Sequence, residues 1–351
     1  METVEEMNRY EPISAVEFDR RMSAHAVWLK TQGREGKQAS FSYCQFPDGL
    51  PIENYLFSHV NFSHADLSKL SFRDCRFAFC DFTESNLNDV KVAGCIFSKE
   101  CKLKNVALDR AKFTGNTVVD ASDFCPKSAD DALFQDVAFN RAMMEQAKFH
   151  NSEFKNVQFI KCDLQKSSLS WCSFHHGCVF DHTPMDKLDG LRLALGDSQL
   201  IGCSMEALRL VGSDCNDATF EYCNMQKASI YHCNFERTCF KHGATPSPMV
   251  VLSVNLPEAG EVKSIACFPE RGSVTSADVL GEGKELKIKD AVSMVKNGEF
   301  AEKYSPADLA MLGATLESLK AFSKSFSRQD TTPAVTHPSS IKEKIHAVLH
   351  H

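Results

Sequence analysis

Residues 52–97 read IENYLFSHVNFSHADLSKLSFRDCRFAFCDFTESNLNDVKVAGCIF, and every fifth residue from the first is large and apolar: Ile52, Phe57, Phe62, Leu67, Phe72, Phe77, Phe82, Leu87, Val92, Phe97. After a one-residue slip the frame resumes at Leu103, Leu108, Phe113 and Val118, then runs from Phe134 through Phe139, Met144, Phe149, Phe154, Phe159, Leu164 and Leu169 to Phe174. A second slip brings it to Phe180, from which it continues to Phe240 with misses at Gly190 and Cys215. At 43% apolar content, the runs of ten and nine would coincide by chance roughly once in ten million. Counting Phe41, Phe46 and Phe124, twenty of the 26 phenylalanines lie on this frame. Two residues before each centre stands a small or apolar residue, among them Ala65, Cys75, Cys80, Cys95, Ala142, Cys162 and Cys203.

A period of five fits neither a helix at 3.6 residues per turn nor a continuous strand at two, so the chain must turn regularly. Positions two apart share a side in extended backbone. If both point inward and the chain bends once per unit, four units close a square coil of about twenty residues, stacked at the strand spacing of roughly 4.8 Å. Cysteines at the small positions then act as reduced apolar fillers. Cys75 with Cys95, and Cys203 with Cys223, should meet on adjacent coils.

The units Ala65-Asp66-Leu67-Ser68-Lys69 and Ser85-Asn86-Leu87-Asn88-Asp89 resemble the pentapeptide-repeat family, whose pattern is A-(D/N)-L-x-x. The resemblance covers about 200 residues and implies a mainly β fold, a right-handed quadrilateral β-helix solenoid, of bacterial or phage type. Phenylalanine at the centre and cysteine at the small position depart from the common pattern and imply a more aromatic core.

The flanks divide the chain further. Residues 1–37 form an N-terminal helical cap: Ser14-Ala15-Val16-Glu17 is a capping box, and the helix to about Lys30 carries Phe18, Met22, Ala26 and Leu29 on one face. Residues 38–242 are the β-helix. Residues 243–328 make a small α/β module, with strands over Met249–Leu256 and Val262–Phe268 and a helix opened by Ser305-Pro306-Ala307-Asp308. That helix bears a stripe of Leu309, Leu312, Leu316, Leu319 and Phe322, to be covered by the module and the last coil or by a second copy as a homodimer. Residues 329–351 are a polar linker and a short terminal helix.

Composition excludes several function classes. The net charge is −7, and residues 37–242 hold 22 lysines and arginines against 26 aspartates and glutamates, too balanced for a polyanion. The acidic start Met1-Glu2-Thr3-Val4-Glu5-Glu6 lacks a signal peptide's basic region, and no run of eighteen apolar residues occurs. A cytoplasmic protein without membrane contact is expected, of a bacterium or an infected host, with secretion as an effector left open.

No phosphate-binding loop, nucleophile elbow or H-E-x-x-H is present, and no cofactor is implied. Cys172, His175, His176, Cys178 and His182 are the densest set of candidate metal ligands, but the frame turns the cysteines inward and the histidines outward, so no metal site is expected. Breaks in the frame fall at Pro47-Asp48-Gly49, Lys99–Glu100 and Cys125–Asp131. Lys91, Lys99, Lys102, Lys104, Arg110 and Lys112 make a basic belt, and Asp123, Asp130 and Asp131 belong to an acidic one beside it, a pattern suited to a charged protein partner.

The expected function is therefore a non-catalytic, protein-binding solenoid. The resemblance supplies a sharper alternative, mimicry of duplex DNA that binds DNA gyrase or topoisomerase IV, type II topoisomerases. A bacterial effector or phage-encoded factor acting through the C-terminal module is another. Direct nucleic-acid binding lacks the outward interleaving of aromatic and basic residues it would need.

Overall fold

A computed structural model describes residues 10–225, 228–231, 233, 238–241, 250–256, 258–268, 272–280 and 284–327. They fall into two compact units divided between Ser168 and Leu169.

In the first unit the five-residue frame becomes a parallel β-solenoid with four faces. Face 1 stacks Pro51–Glu53, Ser71–Arg73, Lys91–Ala93, Lys112–Thr114, Leu133–Gln135 and Glu153–Lys155. Face 2 stacks Leu56–Ser58, Arg76–Ala78, Ile96–Ser98, Val118–Asp120, Ala138–Asn140 and Gln158–Ile160. Faces 3 and 4 are joined by single bridges, such as Asn61 to Asp81 to Lys102 to Asp123 on face 3 and Asp66 to Asn86 to Ala107 to Ser128 on face 4. Like residues stack on like: Phe57, Phe77 and Phe97 lie ring on ring at 4.9 and 4.6 Å, while Phe72 and Phe82 meet Phe77 edge-on. Both geometries are favourable for aromatic pairs.

The corners explain the polar positions. The residue two after a centre takes a left-handed conformation in nearly every unit, for example His59, Lys69, Asp89, Asn105, Arg141 and Lys161, and no β-branched residue is among them. That conformation presses Cβ against the backbone, and branching makes it worse. Lys161→Val should cost about 1–2 kcal/mol in urea unfolding whereas Lys161→Gly should cost little or stabilise.

Two details of the frame differ from the sequence reading. Val119, not Val118, is the central residue: it pairs with Phe97 and Phe139. The slip is taken up at Gly115 and Asn116, both left-handed, just as Lys99 and Glu100 absorb the earlier one. Two adjacent valines hid the shift. Consequently Cys125–Asp131 is no interruption. Ser128 and Asp130 hold their bridges to Ala107 and His150, and buried Ala129 stands at the centre. Pro126, whose ring forbids a left-handed φ, replaces the usual corner residue.

Helix α1, Ala15–Lys30, is capped by Ser14, whose Oγ accepts the Glu17 N–H at 3.2 Å. Its inner face differs from the expected stripe, because Ala26 is exposed while Phe18 and His25 are buried. Phe18 packs against Phe41, Phe46 and Phe57, filling the end of the aromatic column. His25, 1% exposed, joins helix to coil: Nδ1 accepts the Ala39 N–H at 3.1 Å and Nε2 donates to the Ser58 carbonyl at 2.7 Å. Those roles require the neutral ring, and burial pushes its pKa below the ordinary 6.5. The stabilisation is thus complete above that value and lost as pH falls through the lowered one. The thermal midpoint should drop between roughly pH 7 and roughly pH 5, and less so in His25→Gln.

The second unit continues the pattern with Val179–Asp181, Gln199–Ile201, Thr219–Glu221 and Cys239–Lys241 on one face. Another holds Asp189–Leu191, Arg209–Val211 and Ser229–Tyr231. Gly190 occupies a centre because Leu193 and Leu210 already fill it; an added Cβ would lie 2.7 Å from Leu210 Cδ2. Ser229 pairs in parallel with Val251, so the solenoid edge passes into an antiparallel sheet of Val250–Leu256, Glu261–Phe268, Ser273–Thr275 and Glu285–Lys287. This sheet covers the open edge of the coil stack. Helices α2 (Ala277–Leu280), α3 (Ile288–Lys296) and α4 (Pro306–Ser327) complete the unit. Leu312, Leu316 and Leu319 are at most 1% exposed and Leu309 is half-buried, on a helix that packs against α3 and Val250–Leu256. The Phe322 side chain and the segment 329–351 lie outside the described residues. No helix among the described residues is long and apolar enough to cross a membrane.

Candidate protein-binding surface

One coil around Lys99 takes 21 residues, so the run Lys91 to Lys112 makes one full circuit: Lys91 pairs directly with Lys112 on the next strand of face 1. Lys99 stands at the corner after face 2, Lys102 and Lys104 lie on face 3, and Arg110 stands at the corner between faces 4 and 1. The basic belt is therefore a ring. The acidic residues cover only part of it one coil on: Asp123 lies over Lys102 on face 3, and Asp130 and Asp131 stand on face 4 and its corner.

Vertical pairing consumes much of this charge. Lys102 lies between Asp81, at 3.6 Å, and Asp123, its bridge partner. Burial pushes the Asp123 carboxyl up from its ordinary range, with Lys104 and Lys102 opposing. The corner between faces 4 and 1 reads Asp48, Lys69, Asp89, Arg110, Asp131, Asn151. Lys69 reaches Asp48 at 2.6 Å, Arg110 holds Asp89 with two bonds of 2.8 and 2.7 Å, and Asn151 donates to Asp131 at 2.6 Å. The Arg110 hydrogen bonds hold the Asp89 carboxyl below its usual value. Among the described residues no cation pairs with Asp130; its N–H donates to Asp109 Oδ1 at 3.1 Å.

Lys91 and Lys112 differ from Lys102 and Arg110. Both are exposed, they stand in direct register, and no ion pair to either occurs among the described residues. Arg73 is exposed on the same face, its nearest acid Glu53 at 3.8 Å. Like charges opposite one another on a ladder destabilise it.

Cys172 and Cys178 are buried, His176 occupies a left-handed corner, and His182 Nδ1 contacts Asp181 at 2.6 Å. Among the described residues no group of three or more His, Cys, Asp or Glu is placed to hold a metal ion. Cys75 and Cys95 do meet, with the Cys75 N–H 3.4 Å from Cys95 Sγ, as free thiols. Burial pushes the Cys162 thiol up to about 12, which removes its nucleophilicity at neutral pH. A cleft of about 360 Å³ between α1 and the first coil is lined by Glu11, Arg20, Lys37 and Ser40; its Arg21 is held by Glu17 at 2.7 Å and Glu11 at 2.8 Å. Exposed aromatics occupy some corners, where Tyr43 stacks on His64 and His59 on Phe79, both at 4.7 Å. The sequence reading missed these pairs because corner positions show as polar in the frame.

Comparison with known proteins matches the repeats directly. A family model described as pentapeptide repeats finds eight copies, over residues 57–98, 131–176 and 198–237. Among solved structures, HetL of the cyanobacterium Nostoc, a pentapeptide repeat protein involved in heterocyst differentiation regulation, is 16% identical, with 64% of this chain and 94% of HetL covered and a TM-score of 0.42. Full-length QnrB1, a plasmid-mediated fluoroquinolone resistance protein, is 14% identical, with coverage of 54% and 86% and a TM-score of 0.40. Rfr23 of the cyanobacterium Cyanothece, also a pentapeptide repeat protein, is 8% identical, with coverage of 50% and 97% and a TM-score of 0.14. No curated protein matches the sequence.

Proposed function

Because the chain is a pentapeptide-repeat protein, we propose that it is a non-catalytic scaffold that binds a protein partner, and that an acidic patch of the partner meets face 1 at Lys91 and Lys112. The observation carrying this reading is the stacking of two exposed lysines in register with no ion pair among the described residues, while Lys69, Lys102 and Arg110 are matched by acids one coil away. A repulsive contact retained on a rigid face is relieved when an anionic surface covers it. Mimicry of duplex DNA would require an acidic face here instead, so face 1 weighs against a topoisomerase approaching from this side.

The test is affinity capture from a bacterial lysate on the immobilised protein, beside the Lys91→Glu/Lys112→Glu variant. A protein retained by the native chain, released by salt and lost on the variant is the expected result. Equal retention by both, or retention abolished by nuclease, would overturn the proposal. The single variant Lys112→Glu should also raise stability by about 0.5 kcal/mol by turning repulsion into attraction.

A further inference from the structure

One corner of the second unit carries an unspent cation. Backbone hydrogen bonds of 2.7 Å, from the Trp171 N–H to the Leu191 carbonyl and from the Arg192 N–H to the Val211 carbonyl, stack Trp171, Arg192 and Gly212 on successive coils. All three are left-handed, with φ of 61°, 52° and 59°. Arg192 Cζ lies 4.3 Å from the centre of the Trp171 ring, a cation–π pair. Over its other side Gly212 supplies no side chain, and an added Cβ there would meet Arg192 Cγ at an ordinary contact of 3.6 Å, so the space is open. At the corresponding corner of the first unit the cations are spent, Lys69 on Asp48 and Arg110 on Asp89. The exposed Arg192 guanidinium has no hydrogen bond or ion pair among the described residues. Asp189 is bound by Arg209 at 2.6 Å, and Asp214 Oδ1 accepts the Asn216 N–H at 3.0 Å. Trp171 is 46% exposed, and Leu191 and Val211, in register on the outward row beside this corner, are half-buried.

We propose that Arg192 and Trp171 anchor an acidic segment of a protein partner: an aspartate or glutamate carboxylate held by Arg192, and an adjoining apolar side chain laid on Trp171, Leu191 and Val211. Stacking fixes the guanidinium without using its donors, because the indole takes one face and the N–H groups at the edge remain for a planar, bidentate acceptor. Exposed Trp and Arg beside aliphatic side chains are also where binding energy concentrates at protein interfaces. Charge selects a carboxylate over other anions. The site offers one unspent cation, which matches a monoanion, whereas a phosphate dianion calls for more and a nucleic-acid backbone for a run of them. This anchor needs neither Lys91 nor Lys112, which belong to the first unit.

The test selects peptides from a random display library on the immobilised full chain and titrates them against Trp171 fluorescence in the Trp28→Phe background, which removes the other tryptophan. Enriched peptides should carry Asp or Glu next to Leu, Ile or Phe, and should shift the Trp171 emission. Arg192→Lys keeps the charge but loses the stacked fork, and should weaken binding about tenfold or more. Gly212→Asp places a carboxylate over Arg192 at a left-handed position that Asp tolerates, and should weaken binding as much with the thermal midpoint little changed. Lys91→Glu/Lys112→Glu should leave the affinity unchanged, so this site and face 1 are read separately. Circular dichroism reports whether each variant folds. Failure to enrich any peptide would overturn the assignment. So would equal binding of a peptide with its acid changed to the amide, or affinity indifferent to both Arg192→Lys and Gly212→Asp.

Discussion

Phe77→Ala is expected to lower the unfolding free energy by about 3–5 kcal/mol, the range for removing a buried aromatic ring. Phe77 is fully buried, with rings of the coils before and after it at 4.9 and 4.6 Å. Phe72 and Phe82 close its sides at 5.5 and 5.4 Å. Backbone ladders on four faces hold the coil open, so the void cannot collapse and the lost contacts are not regained. Each coil touches only its neighbours, which makes the stack quasi-one-dimensional, and the damage should concentrate in the adjoining coils. Urea unfolding gives the magnitude, and hydrogen exchange over residues 71–98 should quicken more than exchange over Val179–Asp181 of the second unit. Phe77→Leu, which keeps most of the volume, should cost about 1–2 kcal/mol. Equal effects of the two substitutions would contradict the stacked column.

Gly36→Ala is expected to detach α1 at a cost of about 2–3 kcal/mol. Gly36 has φ of 77°, and an added Cβ would lie 2.4 Å from the Ala24 carbonyl oxygen and 2.6 Å from the Trp28 backbone nitrogen. Both are helix backbone and cannot swing aside. Two glycines with similar torsions separate strain from collision. At Gly49, φ 71°, nothing lies within 4 Å, and at Gly33, φ 83°, the nearest atom is the Trp28 indole nitrogen at 3.3 Å. Their alanine variants should cost only about 1 kcal/mol each. Thermal unfolding ranks the three, and Gly36→Ala should also increase proteolysis within Ala15–Lys30. A Gly36 variant no weaker than Gly49→Ala would mean that the connecting loop does not clamp the helix.

The two predictions differ in how far the sequence supplies their grounds. Phe77 is legible without coordinates, since its neighbours twenty residues away are phenylalanines too. Gly36 is an ordinary loop glycine until the loop is seen against the helix. His25 was missed for a related reason: a polar ring does not register as part of an apolar stripe, and its partners Ala39 and Ser58 lie far along the chain. The charge belts show the same limit. As a linear run, Lys91 to Lys112 suggests one basic patch, but a coil of 21 residues distributes it around all four sides and places Arg110 over Asp89.

What the sequence by itself determined is everything that repeats: the period, the inward phenylalanines and small residues, the capped helix before the coils and the change of pattern after Phe240. Periodicity is local information, and stacking identical units adds no choice beyond it. Only the tertiary structure decided the quantities that depend on the phase between coils. One inserted residue at Lys99–Glu100 and another at Gly115–Asn116 rotate every later residue by one step, which makes Val119 the core residue and brings Lys91 to face Lys112. A single-residue shift leaves composition and spacing almost unchanged while reversing which side chain faces the core and which the solvent, and function on a solenoid is carried by the side that faces out.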